Sequence, residues 1–249
     1  MANDNEKMSE EESLSRRRFL KNSGIAVGGL AVGGVVGGMI PWRTKEQPGQ
    51  QTKNQKAQNP NQALMFFSQD EFKTTEAAVE RIFPKDDNGP GAIDLGVAYY
   101  IDHQLAGSYG FNSRDYMEPP FYHGEKEQGY QGRLKRREIF RIGLRELQNY
   151  AKQKHKKTFR ELEAEQQDEV LSDFEKDKAK ISTVSASGFF SMLRSVTLEG
   201  LYSDPLYGGN INMDGWRMRN YPGDQMNYIN IIEKDFQKIE PQSLHDHMS

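Results

Sequence analysis

The chain of 249 residues contains no cysteine and only five histidines, and this scarcity narrows the chemistry that it can perform. Without cysteine it forms no disulfide bond, holds no thiolate-bound iron–sulfur cluster and attaches no haem through a C-x-x-C-H motif. The histidines do not occur at H-E-x-x-H spacing, so we expect neither a metal centre nor a cofactor in this chain. Any electron carrier that works with it must belong to a partner.

Net charge and strand patterns are also sparse. The 33 basic and 36 acidic residues leave a formal net charge of −3, so no overall field favours nucleic acid. No sustained alternation of apolar and polar residues appears, so strands should be few. We predict an all-α protein, with a single globular domain of about five or six helices and a long C-terminal loop rich in glycine and aromatic residues. A signal or anchor helix precedes this domain.

The N-terminal segment has the pattern of a twin-arginine export signal, which directs folded proteins across the cytoplasmic membrane. Seven glycines dilute the apolar run at residues 24–40, so it is less hydrophobic than most membrane-spanning helices. No A-x-A-like cleavage site follows this run, and both cleavage and retention as a membrane anchor stay open. We therefore expect the protein on the outer face of the cytoplasmic membrane, on the periplasmic or cell-wall side. The signal residues are Ser15, Arg16, Arg17, Phe19, Leu20 and Lys21.

Composition divides the chain into four segments. The stretch before residue 63 is rich in Gln, Asn, Lys and Pro and has too little apolar surface to fold, which is typical of a flexible tether. Apolar residues at helical spacing begin immediately after it. We predict a signal or anchor at residues 1–40, a tether at 41–62, a helical domain at 63–223 and a polar tail at 224–249.

Capping signals and apolar stripes place the helices. Ser68 with Glu71, and Thr158 with Glu161, form capping boxes, and Pro84 should end the first helix. The last helix should begin near Ser187, with Gly200 allowing close approach near its end. The expected buried stripes are Phe72, Val79, Ile82 and Phe83; Ile93, Val97, Tyr100, Ile101 and Leu105; Phe140, Leu144, Leu147 and Ala151; Leu162, Val170, Leu171 and Phe174; and Phe189, Leu193, Val196 and Leu201.

A dense series of turn residues follows the last helix. Asp204 can cap a local turn before Pro205, Gly208-Gly209 can adopt positive φ, and Asn210 can bond to nearby backbone. This rigid loop presents large aromatic residues that suit a protein interface. They would alternatively cover one end of the helical core. The predicted docking residues are Asp204, Pro205, Tyr207, Gly208, Gly209, Asn210, Gly215, Trp216 and Tyr221.

These motifs resemble the gluconate 2-dehydrogenase subunit 3 family. The resemblance includes D-P-x-Y-G-G-N at residues 204–210, G-W at 215–216, Y-P-G at 221–223 and I-F-P at 82–84. It implies a small subunit without a redox centre, bound to a large FAD-dependent dehydrogenase of the glucose–methanol–choline type. A cytochrome c subunit with haem c accompanies some such pairs. The resemblance further implies that the flavoprotein crosses the membrane as a passenger of this chain, through the twin-arginine translocase.

Other interpretations stay open. The chain could be an export chaperone that leaves the mature complex, which would associate with its partner only before export. It could also be an independent helical enzyme, with Asp102-His103 as acid–base residues, although no G-x-S-x-G elbow accompanies them. The basic run from Arg133 to Lys157 could contact anionic lipid or an acidic partner, but a solvated helix face is the simpler interpretation. We expect no turnover from the isolated chain.

Overall fold

The computed structural model describes residues 62–122, 124–125 and 128–248. The predicted signal residues and nearly all of the tether lie outside this part of the chain, so those assignments stay predictions. The described residues contain six α-helices and no β-strand, which confirms the all-α domain. The helices are α1 (Gln69–Ile82), α2 (Val97–Ala106), α3 (Arg136–His155), α4 (Ala164–Glu175), α5 (Ala186–Tyr202) and α6 (Asp214–Met218).

The capping signals lie where the sequence predicts them. The Glu71 N–H donates to Ser68 Oγ at 3.3 Å and the Ser68 N–H donates to Glu71 Oε2 at 2.8 Å, so α1 begins with a capping box. Thr158 and Glu161 form a second box, on the 3₁₀ turn Phe159–Glu161 that precedes α4. The extended backbone of Leu162 and Glu163 separates this turn from α4.

The start of α2 differs from the sequence prediction. Ile93 was expected on the buried face, but the helix begins only at Val97 and Ile93 is 47% exposed. Gly96 adopts φ 70°, a left-handed conformation that prevents the helix from extending backwards. The Ile93 N–H instead donates to the Glu80 carboxylate at 2.9 Å.

Helix α5 lies at the centre of the domain and packs against α1, α2, α3 and α4. Gly200 permits the predicted close approach, because a Cβ atom there would lie 2.9 Å from Tyr100 Cδ1 on α2. The largest fully buried side chains are Phe140, Phe159, Phe174 and Phe189. Among the described helices, none combines the length and the apolar character that crossing a bilayer requires.

Arginines in the first part of α3 contact other segments of the domain. Arg136 contacts Asp115 at 2.6 Å, and Arg141 lies 3.6 Å from Glu71. The Arg137 guanidinium lies over the Phe111 ring at 4.2 Å. Further along the helix, the exposed Arg145 pairs with its neighbour Glu146 at 3.2 Å.

Asp102 on α2 is fully buried and binds the backbone of the segment that precedes α1. Its carboxylate accepts hydrogen bonds from the backbone N–H groups of Met65, Phe66 and Phe67, at 2.6, 3.1 and 2.6 Å. The neighbouring His103 Nε2 lies 3.0 Å from the Ala63 carbonyl oxygen. The pair considered for acid–base chemistry thus holds the entry of the chain against α2.

A second buried carboxylate joins α3 to α4. Asp173 accepts hydrogen bonds from Tyr150, Lys154 and Lys178. Burial by itself would raise the pKa of Asp173, but the hydrogen bonds from Lys154, Lys178 and Tyr150 outweigh it and lower the pKa from 3.8 to about 2. The ionised carboxylate is therefore favoured in the folded state.

Replacing Asp102 by Asn should lower the free energy of unfolding by about 2–4 kcal/mol, because a neutral amide accepts fewer hydrogen bonds and turns a donor toward buried N–H groups. Urea titration of the purified chain measures this change. The exposed Asp87→Asn is the matched control and should change stability little. Equal stabilities for both variants would show that Asp102 does not hold the entry segment.

Replacing Asp173 by Asn should cost roughly 1–2 kcal/mol at pH 7, less than the full pKa shift implies because solvent screens the exposed end of the network. The folded-state pKa of Asp173 lies below its unfolded value, so this stabilisation is complete above about pH 5 and disappears as the pH falls toward 2. Urea titrations of both proteins across this range should converge at low pH. A difference that stays constant with pH would contradict the assignment.

Candidate docking site

The segment after α5 folds as a series of short turns, and Asp204 begins the first. Its carboxylate accepts a hydrogen bond from the Leu206 N–H at 2.8 Å and caps the 3₁₀ turn Pro205–Tyr207. Gly208 then adopts φ 95° and ends that turn, whereas Gly209 has no positive φ. A side chain at Gly209 would instead collide with the Gly200 carbonyl. The predicted cap is confirmed, and of the two glycines only Gly208 uses the left-handed region.

Asn210 is buried and links two parts of this loop, Ser203 and Gly215, through its side-chain amide, and we call it the tie of the loop. It is fully buried and left-handed, with φ 47°. Its Oδ1 accepts from the Gly215 N–H and its Nδ2 donates to the Ser203 carbonyl, both at 2.8 Å. Asn tolerates this backbone conformation better than most residues, and its amide here satisfies polar backbone on both sides of the turn.

Trp216 lies under the loop rather than on its surface. Trp216 is only 5% exposed, and its Nε1–H donates to the Tyr202 carbonyl at 2.7 Å. Tyr221 packs edge-on against the indole, with 5.4 Å between ring centroids. A Cβ atom at Gly223 would lie 2.7 Å from the Trp216 ring, so this position needs glycine for the close approach as well as for its φ of 70°.

The predicted docking residues therefore divide by exposure. Tyr207 and Tyr221 are 48% and 51% exposed and form the accessible aromatic surface, next to Leu206. Asp204 and Pro205 are half-buried. Their docking role stays a prediction, and the buried members can serve it only by holding the exposed tyrosines in place. The buried members are Gly208, Gly209, Asn210, Gly215 and Trp216.

The C-terminal segment returns to Asp204 instead of leaving the domain as a polar tail. The Asp204 carboxylate also accepts from Ser243 Oγ and from the Leu244 N–H, both at 2.8 Å. The Asp224 N–H donates to the Gln242 carbonyl at 2.8 Å. We call residues 241–247 the C-terminal clasp. Its sequence signal is the capping box of Ser243 with Asp246, which starts a 3₁₀ turn at Leu244–His247.

A polar cluster that sequence reasoning missed lies beside the loop. Tyr100 lies near Glu199, and burial followed by the Glu199 charge raises the pKa of Tyr100 to about 12. Burial also raises the pKa of Tyr109 to about 12, although Arg136 opposes it. Both phenols therefore stay protonated donors near neutral pH. Tyr100 and Glu199 come together through the packing of α2 on α5, so no local sequence pattern predicts this cluster.

Within the described residues, no three side chains of the His, Cys, Asp or Glu types gather as metal ligands would. Hydrogen bonds of Asn210 and Asp204 order the backbone after α5, on which Tyr207 and Tyr221 are exposed. Such a surface can bind another protein at low entropic cost, because its backbone is already ordered.

Asn210→Ala and Asn212→Ala should separate hydrogen bonding from backbone strain in this loop. Both asparagines are left-handed, with φ 47° and 58°, but Asn212 is exposed. Each variant should lose about 1 kcal/mol from strain. Asn210→Ala should lose about 2 kcal/mol more, because it leaves buried backbone groups unpaired. Urea titration of both purified variants gives the comparison, and equal losses would deny Asn210 its role as the tie.

Comparison with known families places the chain. A family model described as Gluconate 2-dehydrogenase subunit 3 matches residues 69–223, from the first residue of α1 to the glycine that packs against Trp216. No curated protein and no solved structure matches the chain. The family match covers more than half of the sequence and includes every helix described above. The chain belongs to the gluconate 2-dehydrogenase subunit 3 family and is thus a subunit of a dehydrogenase complex.

Proposed function

We propose that this chain is the non-catalytic small subunit of an exported, membrane-associated, FAD-dependent sugar or alcohol dehydrogenase complex of the gluconate 2-dehydrogenase type. It supports assembly of the flavoprotein subunit and its export by the twin-arginine route. The observation that carries the proposal is the family match, which covers the whole helical domain and the loop after α5. The substrate of the complex is chosen by the partner.

The redox chemistry belongs to the partner subunits. The cysteine-free sequence supplies no thiolate for an iron–sulfur cluster and no C-x-x-C-H motif for haem. FAD is held by the large glucose–methanol–choline-type subunit, and haem c, where present, by a cytochrome c subunit. The large subunit takes up FAD in the cytoplasm and crosses the membrane as a folded passenger of this chain.

The docking surface consists of Tyr207 and Tyr221 on the ordered loop. Tyrosine presents a large contact area with few rotatable bonds, so binding through it costs little side-chain entropy. The hydrogen bonds of Asn210 and the packing of Trp216 support this surface from below. The loop thus has the construction of a preorganised interface.

Export depends on the N-terminal signal. The support is the continuous pattern from Ser15 to Lys21, followed by a glycine-diluted apolar run. The complex therefore works at the outer face of the cytoplasmic membrane. The tether and the signal, where it is retained, link it to that membrane.

Replacing Arg16 and Arg17 by Lys should leave both this chain and its flavoprotein partner in the cytoplasm. The test is to tag the chain at its C-terminus, fractionate cells of the native host and record the flavin spectrum and dye-reducing activity of the recovered complex. The wild-type chain should bring a larger flavin-containing polypeptide from the membrane fraction, with sugar- or alcohol-dependent dye reduction. The variant should bring the same polypeptide from the cytoplasm.

The matched control replaces Lys7, a basic residue outside the signal pattern, by Gln, and export should be unaffected. Export of the flavoprotein while the small subunit is trapped would overturn the passenger mechanism. A partner that binds in the cytoplasm and is absent after export would identify a transient chaperone instead. Turnover by the isolated chain would identify an independent enzyme.

A further inference from the structure

A projecting loop separates the family-matched domain from the C-terminal clasp. Residues 225–240 lie between Gly223 and Gln242, which are joined by an isolated parallel β-bridge. The Asp224 N–H donates to the Gln242 carbonyl at 2.8 Å, and the Gln242 N–H donates to the Pro222 carbonyl at 3.2 Å. We call residues 225–240 the apolar loop. Compact loops with closed ends are frequently functional.

The apolar loop exposes a concentration of large hydrophobic side chains. Met226, Ile229, Ile232 and Phe236 are 75%, 76%, 76% and 97% exposed. Monomeric soluble proteins rarely leave such a set together in water, and exposed apolar patches mark interaction sites. The composition of this loop is therefore that of a surface covered by something else.

Local hydrogen bonds hold these side chains outward. The N–H groups of Ile231 and Ile232 donate to the Tyr228 carbonyl at 3.0 and 2.9 Å, and the Lys234 N–H donates to the Ile231 carbonyl at 3.0 Å. The Gln225 amide donates to the Pro222 carbonyl at 2.8 Å. The loop is thus folded into successive turns before any partner binds, which lowers the entropic cost of docking.

The apolar loop closely follows the motif segment, by which we mean residues 204–223. Its Tyr228, Ile231 and Phe236 line a groove whose remaining wall includes Asn220 and Pro222, on either side of the exposed Tyr221. A partner that covers Tyr221 therefore meets the apolar loop next. The loop lies outside residues 69–223, so the family match does not account for it.

Charge favours a protein occupant. The apolar loop carries three acidic residues and two lysines, a formal charge of −1. Anionic lipid would repel this segment, because lipid-binding segments are enriched in basic residues. The lysines alternate with acidic residues around Phe236, which is typical of the polar rim around an apolar contact in protein interfaces.

We propose that the apolar loop inserts Ile229, Ile232 and Phe236 into an apolar groove of the large dehydrogenase subunit, next to the contact made by Tyr221. This proposal rests on the proposed function, which supplies the large subunit. The loop adds an anchor beyond the family-matched residues, and the segment at residues 204–223 supplies a contact within them. The C-terminal clasp fixes the angle at which the loop approaches.

The test replaces Ile229, Ile232 and Phe236 together by Ser in the full, tagged chain, produced at native level in the native host. The amount of flavin-containing polypeptide recovered per mole of tagged chain should fall by roughly tenfold or more, as expected for loss of central apolar anchors. The matched control replaces Met65, Ile93 and Tyr116, which are 68%, 47% and 85% exposed, by Ser. Its recovery should equal that of the wild type, and both variants should keep the wild-type circular dichroism and melting transition.

The outcomes separate the two proposals. If the wild-type chain recovers no flavoprotein, the proposed function fails and this docking fails with it. If the wild type and the loop variant recover it equally, only the docking proposal is overturned. Self-association of the isolated chain, or binding to phosphatidylcholine vesicles, that the loop variant abolishes while flavoprotein recovery is unchanged would assign the loop to a second copy or to lipid.

Discussion

The domain depends on one buried carboxylate. Asp102 collects three successive backbone N–H groups at the point where the chain enters, and a single side chain on α2 thereby fixes the segment that leads into α1. The same short helix contacts the motif segment, because His103 lies beside Gly208 and the preceding Leu95 carbonyl accepts from the Ile211 N–H. Removing a buried acceptor that serves several donors is costly, since each donor loses its partner. The entry of the chain and the candidate docking loop are consequently held by one element.

Asp204 holds the C-terminal clasp against the loop after α5, as Asp102 holds the segment before α1 against α2. Its two oxygens cap the turn at Pro205–Tyr207 and receive the clasp at Ser243 and Leu244. Asp102 accepts only from backbone N–H groups in the described residues, whereas Asp204 accepts from two backbone N–H groups and from the Ser243 hydroxyl. Both aspartates thereby fix the positions of chain segments. The docking surface proposed above begins within the family-matched residues, and the proposed anchor of the apolar loop lies beyond them.

Local patterns predicted the helices well, because capping boxes and apolar stripes depend on residues three or four apart. Ser68 with Glu71 and Thr158 with Glu161 lie where expected. The prediction that Ile93 is buried on α2 was wrong, because Gly96 adopts a left-handed backbone conformation and α2 begins after it. The burial of Trp216 agrees with the alternative that the aromatic residues cover one end of the helical core, and the sequence did not decide between this alternative and a docking role. The return of the clasp could not be predicted, since it depends on Asp204, 39 residues before Ser243. The composition of residues 224–249 indicated a polar segment but could not reveal that Ser243 and Leu244 donate hydrogen bonds to Asp204.

The link between Asp204 and Ser243 also sets an order of events during synthesis. These residues are 39 positions apart, and Ser243 follows all six described α-helices of the domain along the chain. The helical core has all of its residues well before this point and can pack while translation continues. The turn at Asp204 gains its last partners, Ser243 and Leu244, only after all six of these α-helices have been synthesised. The proposed docking surface is thus completed after the residues of the core are in place.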